Sequence, residues 1–287
     1  MTRSSKPGNS VPWVRSAERV HAHYLIEKAL AERLRGAARE ERRQLYRELY
    51  DELFRRVLDH SQLHNKASSN VRDRHWRELA LVRSLLAPEA VFMELGAGDC
   101  QFALELSGHA RQVIAVDVST EIVKELDAPA NFSLLLSDGC SVPVPPASVD
   151  LAYSNQLIEH LHPDDVRAQL QAVFAALRRG GRYVCLTPHR YTGPHDISRD
   201  FDEVASGFHL HEYTSRELCR LLAECGFVAI RQLVGARGRY FSIPPLLTAM
   251  LEILLAPLPQ RVRRRLGNLP GLRMVLHRLM ITARRPA

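Results

Sequence analysis

The sequence has few cysteines, and none of them is closely paired. Five thiols in 287 residues, an odd number without a CxxC spacing, argue against a disulfide-built fold and indicate a reducing, cytosolic compartment. They are Cys100, Cys140, Cys185, Cys219 and Cys225. Histidines and acids are plentiful, but they show no recognisable ligand spacing, so no metal site is predicted.

The chain also lacks the segments typical of membrane entry. Residues 1–13 contain no apolar run like that of a signal peptide. The most apolar stretch, 241–258, is interrupted by three prolines and by Glu252. Because a membrane-spanning helix needs ~20 apolar residues, none is expected. We expect a cytoplasmic protein with a disordered N-terminus over residues 1–17.

Acidic residues are scarce at the C-terminal end. The whole chain has 39 Lys and Arg against 32 Asp and Glu, a formal charge of +7. Residues 231–287 hold eleven arginines, no lysine and one acid, a charge of +10, so residues 1–230 carry −3 with 28 basic and 31 acidic residues. Such a tail suits nucleic acid or an anionic membrane. It lacks interleaved exposed aromatics and any recognised RNA module, which disfavours nucleic acid.

Helical and strand patterns alternate along the rest of the sequence. Apolar residues recur at helical spacing within 45–57 and 71–86, which predicts a helical N-terminal cap over residues 18–87. Beyond it, seven short apolar runs have the pattern of strands: 91–95, 113–116, 132–136, 149–153, 183–186, 227–234 and 274–283. The helical stretches between them predict an α/β fold with a mostly parallel sheet and helices on both faces.

A long insertion separates the sixth and seventh predicted strands. Residues 236–272 join an apolar helical run to the arginine cluster RVRRRL. We expect a helical lid over the substrate site. The segment 241–265 also fits peripheral contact with an anionic membrane. A lid simply packed on the domain and one half of a homodimer interface are the alternatives.

The first predicted strand runs into a glycine loop, ELGAGDC. Gly96 and Gly98 allow the backbone to approach a ligand closely. Asp117 ends the second strand, where a carboxylate can accept the hydroxyls of a ribose. Asp138 follows the third strand, where it can accept the amine of adenine. Dinucleotide enzymes carry a third glycine where this chain has Gln101, which disfavours NAD.

Taken in order, these segments resemble the class I S-adenosylmethionine-dependent methyltransferases, most closely the type 11 small-molecule group. The motifs are ELGAGDC, VIAVD, LLLSDG, VDLAYSNQLIEHL, LRRGGRYV and LLAECGF, within residues 90–234. The resemblance implies a Rossmann-like, seven-stranded sheet with an antiparallel last strand, a methyltransferase domain over residues 88–287, and S-adenosyl-L-methionine as cofactor. Cys100 stands where the family usually has glycine.

The resemblance also implies a set of cofactor-binding residues at the carboxyl edge of the sheet. They form four groups: Gly96, Ala97 and Gly98 at the methionine part with Glu94 supporting that loop, Asp117 followed by Val118 at the ribose, Asp138 and Gly139 at the adenine, and Asn155 and Gln156 near the sulfonium and amino group.

Several histidines follow the fourth and fifth predicted strands. Because the sulfonium is already a good leaving group, methyl transfer depends mainly on positioning. A histidine near the methyl group can still act as a general base for an oxygen or nitrogen nucleophile. We predict His160, or else His189, in that role. The connection 193–214 is long, as is common for loops that bind substrate.

The sequence therefore predicts methyl transfer from S-adenosylmethionine to a small-molecule or lipid-linked acceptor, with oxygen as the expected methylated atom. Two alternatives remain open. A catalytically silent S-adenosylmethionine-binding protein would act through partners, and an NAD-dependent oxidoreductase would bind nicotinamide but not S-adenosylhomocysteine.

Overall fold

A single mixed sheet forms the centre of the molecule. The computed structural model describes residues 15–60, 69–119, 127–236 and 239–287. Within them, eight strands form one sheet with the order β3-β2-β1-β4-β5-β8-β6-β7. The strands are β1 (Val91–Leu95), β2 (Gln112–Asp117), β3 (Phe132–Leu136), β4 (Val149–Asn155), β5 (Leu177–Pro188), β6 (Val228–Ala236), β7 (Arg239–Ile243) and β8 (Arg278–Arg284).

The sheet has the predicted direction of strands but one strand more than predicted. Strands β1 to β5 pair in parallel, and β8 runs antiparallel between β5 and β6. The prediction of seven strands was wrong because β7 forms an antiparallel hairpin with β6 at the sheet edge. Its residues, RYFSI, are all exposed or half-buried. They therefore lack the continuous buried run that identifies central strands.

Helices cover the sheet. Those of the described residues are α1 (Ala17–Gly36), α2 (Arg39–Arg56), α3 (Ser69–Leu85), α4 (Gln101–Leu106), α5 (Pro163–Ala176), α6 (Ser215–Glu224), α7 (Pro245–Leu255), α8 (Gln260–Gly267) and α9 (Pro270–Leu276). The insertion is helical, but α9 takes up the start of the predicted seventh strand, so β8 begins at Arg278. Pro270 favours this helix because proline is well tolerated in a first turn. No helix of the described residues is long and apolar enough to cross a bilayer.

Helix α2 is fixed over the carboxyl edge of the sheet by a buried ion pair. Arg42 donates hydrogen bonds of 2.7 and 2.8 Å to the two carboxylate oxygens of Asp165 in α5. Tyr46 donates a third, of 2.9 Å, to the same carboxylate. Arg42 and Asp165 are only 3% and 0% exposed. Because a bidentate pair requires one geometry, it sets the position of α2 above the loop that follows β3.

The long segment after β5 is held from two sides. Arg35 of α1 donates hydrogen bonds to three of its backbone carbonyls, and Glu27 accepts one of 2.9 Å from the Phe208 N–H. From the insertion, Glu252 of α7 accepts a 2.9 Å hydrogen bond from His189. The N-terminal cap and the insertion therefore both shape this segment.

Candidate functional site

The loop after β1 folds back beside the end of β2. The Gly96 and Ala97 N–H groups donate to the Val116 carbonyl at 2.8 and 3.3 Å. Gly96 and Gly98 have φ angles of +67° and +52°, which glycine adopts at little cost. The two glycines therefore allow the tight turn that brings the loop next to Asp117.

Asp117 accepts hydrogen bonds from three backbone N–H groups. Oδ2 accepts from Gly98 at 2.8 Å, and Oδ1 accepts from Val118 at 2.7 Å and Ser119 at 3.1 Å. Burial raises the pKa of Asp117 above its ordinary value, although these N–H groups act in the opposite direction. A carboxylate offers about four acceptor positions, so about one remains for a ligand. Accepting both hydroxyls of a ribose would require the Gly98 contact to be shared or released.

Glu94 lies beneath the glycine loop with one oxygen unpaired. It is 5% exposed, and its Oε2 has no hydrogen-bond partner among the described residues. Burial, followed by the nearby charge of Asp99, raises the pKa of Glu94 well above 4.5. Because a buried polar atom without a partner is costly, this oxygen marks a point where a further group fits.

Cys100 takes over the backbone role of the glycine that the family usually has. It precedes α4 with a φ angle of +58°, in the left-handed region. Its side chain is fully buried among the apolar residues between β1 and α4. The departure from glycine therefore preserves the turn while it fills the core.

Asp138 points one carboxylate oxygen away from its own loop. Oδ1 accepts from the Cys140 and Ser141 N–H groups at 3.0 and 2.6 Å, whereas Oδ2 lies 3.6 Å from Arg43 Nε of α2. Burial alone would raise the pKa of Asp138, but these hydrogen bonds and Arg43 lower it below its ordinary value. The carboxylate is therefore ionised at neutral pH, and Oδ2 can accept an amine.

Helix α2 roofs the loops after β2 and β3. Gly139 has a φ angle of +85°, and a Cβ there would lie 2.8 Å from the ring of Tyr46. The Ser119 hydroxyl donates to Asp51 of α2 at 3.0 Å. Glycine is thus required at position 139 both by the turn and by the close approach of the helix.

Asn155 belongs to a polar cluster that the sequence did not reveal. Its amide donates to Glu78 of α3 at 3.3 Å and accepts from Arg278 of β8, which also forms an ion pair with Glu78. Tyr153 donates to the same glutamate at 3.2 Å. Gln156 follows with a φ angle of +54° and an exposed side chain. No local motif could have indicated Glu78 or Arg278, because they come from elements far apart in the sequence.

His160 is a neutral imidazole in a crowded aromatic pocket. Its Nδ1–H donates to the Phe208 carbonyl at 3.1 Å, and its ring centroid lies 4.9 Å from that of His209. Burial, followed by the charge of His209, lowers the pKa of His160 to about 3. Tyr50 of α2 packs against it at 6.1 Å between ring centroids.

Glu159 and His209 lie beside His160; the sequence showed no sign of Glu159 and favoured a packing or capping role for His209. Glu159 is 0% exposed, and its Oε2 accepts from the Thr187 hydroxyl at 2.9 Å. His209 donates from Nδ1 to Glu212 at 2.8 Å. Burial alone would lower the pKa of His209, but Glu212 and Glu159 raise it to about 9. A carboxylate and two imidazoles thus meet at the end of β4.

His189, the second candidate base, uses both ring nitrogens in hydrogen bonds. Nδ1 accepts from the Tyr191 N–H at 3.0 Å, and Nε2–H donates to Glu252 at 2.9 Å. The side chain is fully buried. These contacts favour a positioning role between β5 and α7.

A family model and curated relatives match the central part of the chain. Residues 93–185 match a family described as a methyltransferase domain. A probable S-adenosylmethionine-dependent methyltransferase of Mycobacterium tuberculosis is 31% identical over 163 residues, which cover 55% of this chain and 57% of that protein. A similar protein of Mycolicibacterium smegmatis is 32% identical over 136 residues, with 47% and 51% covered. The chain thus matches little more than half the length of these relatives.

Solved structures share the fold over most of the chain. The 1,6-didemethyltoxoflavin-N1-methyltransferase of Burkholderia thailandensis aligns with a TM-score of 0.52 at 19% identity, over 88% of this chain and 92% of that one. A possible histamine N-methyltransferase of Thermotoga maritima aligns with a TM-score of 0.51 at 17% identity, over 84% and 97%. At such identities the likeness concerns the fold.

The fold, the glycine loop and the aspartate at the end of β2 define a Rossmann-like methyltransferase domain. The matched segment, residues 93–185, supports the resemblance to the class I S-adenosylmethionine-dependent methyltransferases that the sequence motifs carry. The recognition made from the sequence motifs is thereby confirmed.

Proposed function

We propose that this protein transfers a methyl group from S-adenosyl-L-methionine to a small-molecule or lipid-linked acceptor. The observation that carries the proposal is the contact between the Gly98 N–H and Asp117, 2.8 Å long, at adjacent strand ends within the segment that matches the family. It supports a loop and a carboxylate arranged to hold the methionine part and the ribose of one ligand.

Four loops supply the residues that we propose to bind the cofactor. Asp117 and the neighbouring Val118 backbone would bind the ribose, and Asp138 with Gly139 would bind the adenine beneath α2. The unpaired oxygen of Glu94 supports a ligand at the glycine loop. Asn155 and Gln156 stay predictions for the sulfonium side, where the amide of Asn155 is already held by Glu78 and Arg278.

Proton removal plays a smaller part in this proposal than positioning does. A base whose conjugate acid has a pKa of about 3 takes up a proton poorly at neutral pH, which describes His160. Its neutral ring can still accept a hydrogen bond from the acceptor, and we propose a hydroxyl oxygen as the methylated atom. Since both nitrogens of His189 are engaged, His160 is the better candidate for contact with the acceptor.

Calorimetric titration with S-adenosylhomocysteine tests the cofactor assignment. We expect micromolar binding by the full chain and no binding of NAD. Binding without turnover of any acceptor in a broad screen would favour the silent binding protein. Binding of NAD but not of S-adenosylhomocysteine would favour the oxidoreductase and contradict the proposal.

A second proposed contact is an anionic membrane surface, through residues 241–265. Five apolar side chains of α7 are 55 to 73% exposed: Leu246, Leu247, Met250, Ile253 and Leu254. Helix α8, with the sequence QRVRRRLG, follows directly and supplies cationic side chains. An apolar face beside arginines suits the interface of an anionic bilayer and would bring a lipid-linked acceptor to the lid.

Co-sedimentation with vesicles tests this contact. We expect binding to phosphatidylglycerol vesicles, weaker binding to phosphatidylcholine, and loss of binding in the double variant Leu246→Glu, Leu254→Glu. Val228→Glu is the matched control, because Val228 is also exposed but lies at the start of β6, outside α7. Equal sedimentation of the double variant and the control would contradict a membrane role for α7.

A further inference from the structure

Three potential metal ligands converge at the end of β4. Glu159 and His160 follow that strand directly, and His209 comes from the long segment after β5. Each of the three offers a ligand atom that lies within 4.8 Å of the other two. This convergence depends on folding, because His209 is separated from the other two by β5 and its loops.

The hydrogen bonds of the two histidines leave one nitrogen available on each. Nδ1–H of His160 donates to the Phe208 carbonyl, and Nδ1–H of His209 donates to the Glu212 carboxylate, at 3.1 and 2.8 Å. Since both acceptors require a proton on Nδ1, a neutral ring carries its lone pair on Nε2. Neither Nε2 has a hydrogen-bond partner among the described residues.

An unpaired carboxylate oxygen of Glu159 is the independent indication of a ligand at this position. Its Oε2 accepts from the Thr187 hydroxyl at 2.9 Å, but the buried Oε1 has no partner among the described residues. A buried carboxylate oxygen without a partner is costly, and such an exception calls for an ion or another polar group. A cation at Oε1 would remove that cost.

We propose that Glu159, His160 and His209 bind one divalent first-row transition-metal ion through Oε1 and the two Nε2 atoms. Two imidazoles and one carboxylate form the donor set that such ions prefer. Each ligand is also oriented by an outer hydrogen bond, from Thr187, to Phe208 and to Glu212 respectively, as is usual around metal ligands.

The distances and charges fit this proposal. Metal–ligand bonds of about 2.1 Å place donor atoms about 3 to 3.5 Å apart, so donor atoms that lie within 4.8 Å of one another have to move closer by at most about 2 Å on binding. The Glu212 carboxylate, which accepts from His209 Nδ1 at 2.8 Å, and the Glu159 ligand itself place negative charge around the site, and Nε2 of His209 has to release its proton when the ion binds. A cavity of about 250 Å³ is lined in part by His209 and Glu212.

A second histidine–carboxylate group shows what a purely structural arrangement looks like. His23, Glu27 and His60 also have potential ligand atoms within 4.8 Å of one another. There, however, His23 accepts from Arg15 and donates to Glu27, each at 2.9 Å, and Glu27 also accepts from Phe208. Both nitrogens of His23 and both oxygens of Glu27 are therefore already engaged.

The expected role of the ion rests on the proposed methyl transfer. A site with three protein ligands keeps open positions, and a hydroxyl oxygen bound there would lose its proton more easily. In the metal-bound protein Nε2 of His160 is a ligand, so the acceptor hydroxyl would bind the ion instead of His160.

Metal titration of the full chain, stripped with EDTA, tests the site without any need for activity. We expect one equivalent of Co²⁺ by calorimetry, with visible absorption bands that report imidazole ligands, and one equivalent of Mn²⁺. Glu159→Gln and His160→Gln should each weaken binding at least about tenfold, since even outer-shell changes do so. His23→Gln is the matched control and should bind like the wild type. Thermal unfolding of each variant checks that it remains folded.

The outcomes separate this inference from the proposed function. Absence of stoichiometric binding, unchanged binding in folded Glu159→Gln, or loss of binding in His23→Gln instead would overturn the metal site. Titration of the stripped chain with S-adenosylhomocysteine is read separately. Cofactor binding without metal binding overturns only the metal site, whereas metal binding without cofactor binding overturns only the methyltransferase proposal.

Discussion

The two halves of the carboxyl edge are built in different ways. The half proposed to bind the cofactor, the nucleotide half, is formed by residues 96–100, 117–119 and 137–141 and satisfies most of its polar groups with nearby backbone, as when Asp138 accepts from Cys140 and Ser141. The half proposed to bind the acceptor, the acceptor half, is formed by residues 155–160 and 187–214 and depends on side chains from distant helices and strands. The difference indicates that a short motif can encode the first half, whereas the second requires the whole fold.

The Arg42–Asp165 pair does not follow this division, because it is a long-range contact that fixes α2 above the nucleotide half. We expect Arg42→Ala to lower the free energy of unfolding by about 3 to 5 kcal/mol, since Asp165 would be left charged and buried. Denaturant unfolding measures this. Arg47→Ala in the same helix is the control, and its exposed pair with Asp51 should cost under about 1 kcal/mol. Equal decreases in the free energy of unfolding in the two variants would show that the buried Arg42–Asp165 pair stabilises the protein no more than an exposed pair does.

The second largest effect concerns Asp117 and ligand affinity. Asp117→Ala should weaken S-adenosylhomocysteine binding at least about 100-fold, because charge-assisted hydrogen bonds to a ribose would be lost. Calorimetric titration is the measurement. Asp127→Ala, an exposed aspartate before β3 at the other edge of the sheet, should leave the affinity unchanged. An affinity loss below tenfold in Asp117→Ala would mean that the nucleotide half does not hold a ribose there.

The geometry of the nucleotide half could be predicted from the sequence because its contacts join residues that are close together in the sequence. Gly98 and Asp117 are 19 residues apart, and Asp117 otherwise contacts its immediate neighbours. A strand, a glycine turn and the next strand are enough to bring them together. The parallel sheet with its antiparallel β8 followed from the same alternation of patterns, whereas the exposed edge strand β7 did not.

The acceptor half could not be predicted for the opposite reason. Glu78 and Arg278 are 200 residues apart, and Glu27 and Phe208 are 181 apart. His189 illustrates the consequence. Its position after a strand suggested a base, but its partner Glu252 lies 63 residues away in the insertion. No local pattern distinguishes a histidine that will be saturated by a distant glutamate from one, such as His160, that keeps a free nitrogen.

A third test sharpens the comparison by perturbing the acceptor half alone. Glu252 accepts from His189 and from the Ser215 and Arg216 N–H groups at the start of α6. Glu252→Gln should lower the free energy of unfolding by about 2 kcal/mol, because the amide leaves a buried donor unpaired. The affinity for S-adenosylhomocysteine should not change. Glu203→Gln, in an exposed ion pair, is the control for the substitution itself. A weaker affinity in Glu252→Gln would show that the two halves are coupled.

The smallest expected effect is the pH dependence that the Arg42–Asp165 ion pair adds to the free energy of unfolding. Burial tends to raise the pKa of Asp165, but hydrogen bonds from Arg42 and Tyr46 outweigh it and hold this pKa below the ordinary 3.8. The stabilisation is therefore fully present above about pH 4 and is lost as the pH falls through the lower pKa of the folded state, by up to about 1.4 kcal/mol per unit for one proton. Urea unfolding between pH 7 and pH 3 should show a shallower acid limb for Asp165→Asn than for the wild type. Asp164→Asn, whose side chain is 72% exposed, should keep the wild-type slope. If both variants keep the wild-type slope of the free energy of unfolding against pH, the charge of Asp165 does not hold α2 in place, and the nucleotide half depends on local contacts alone.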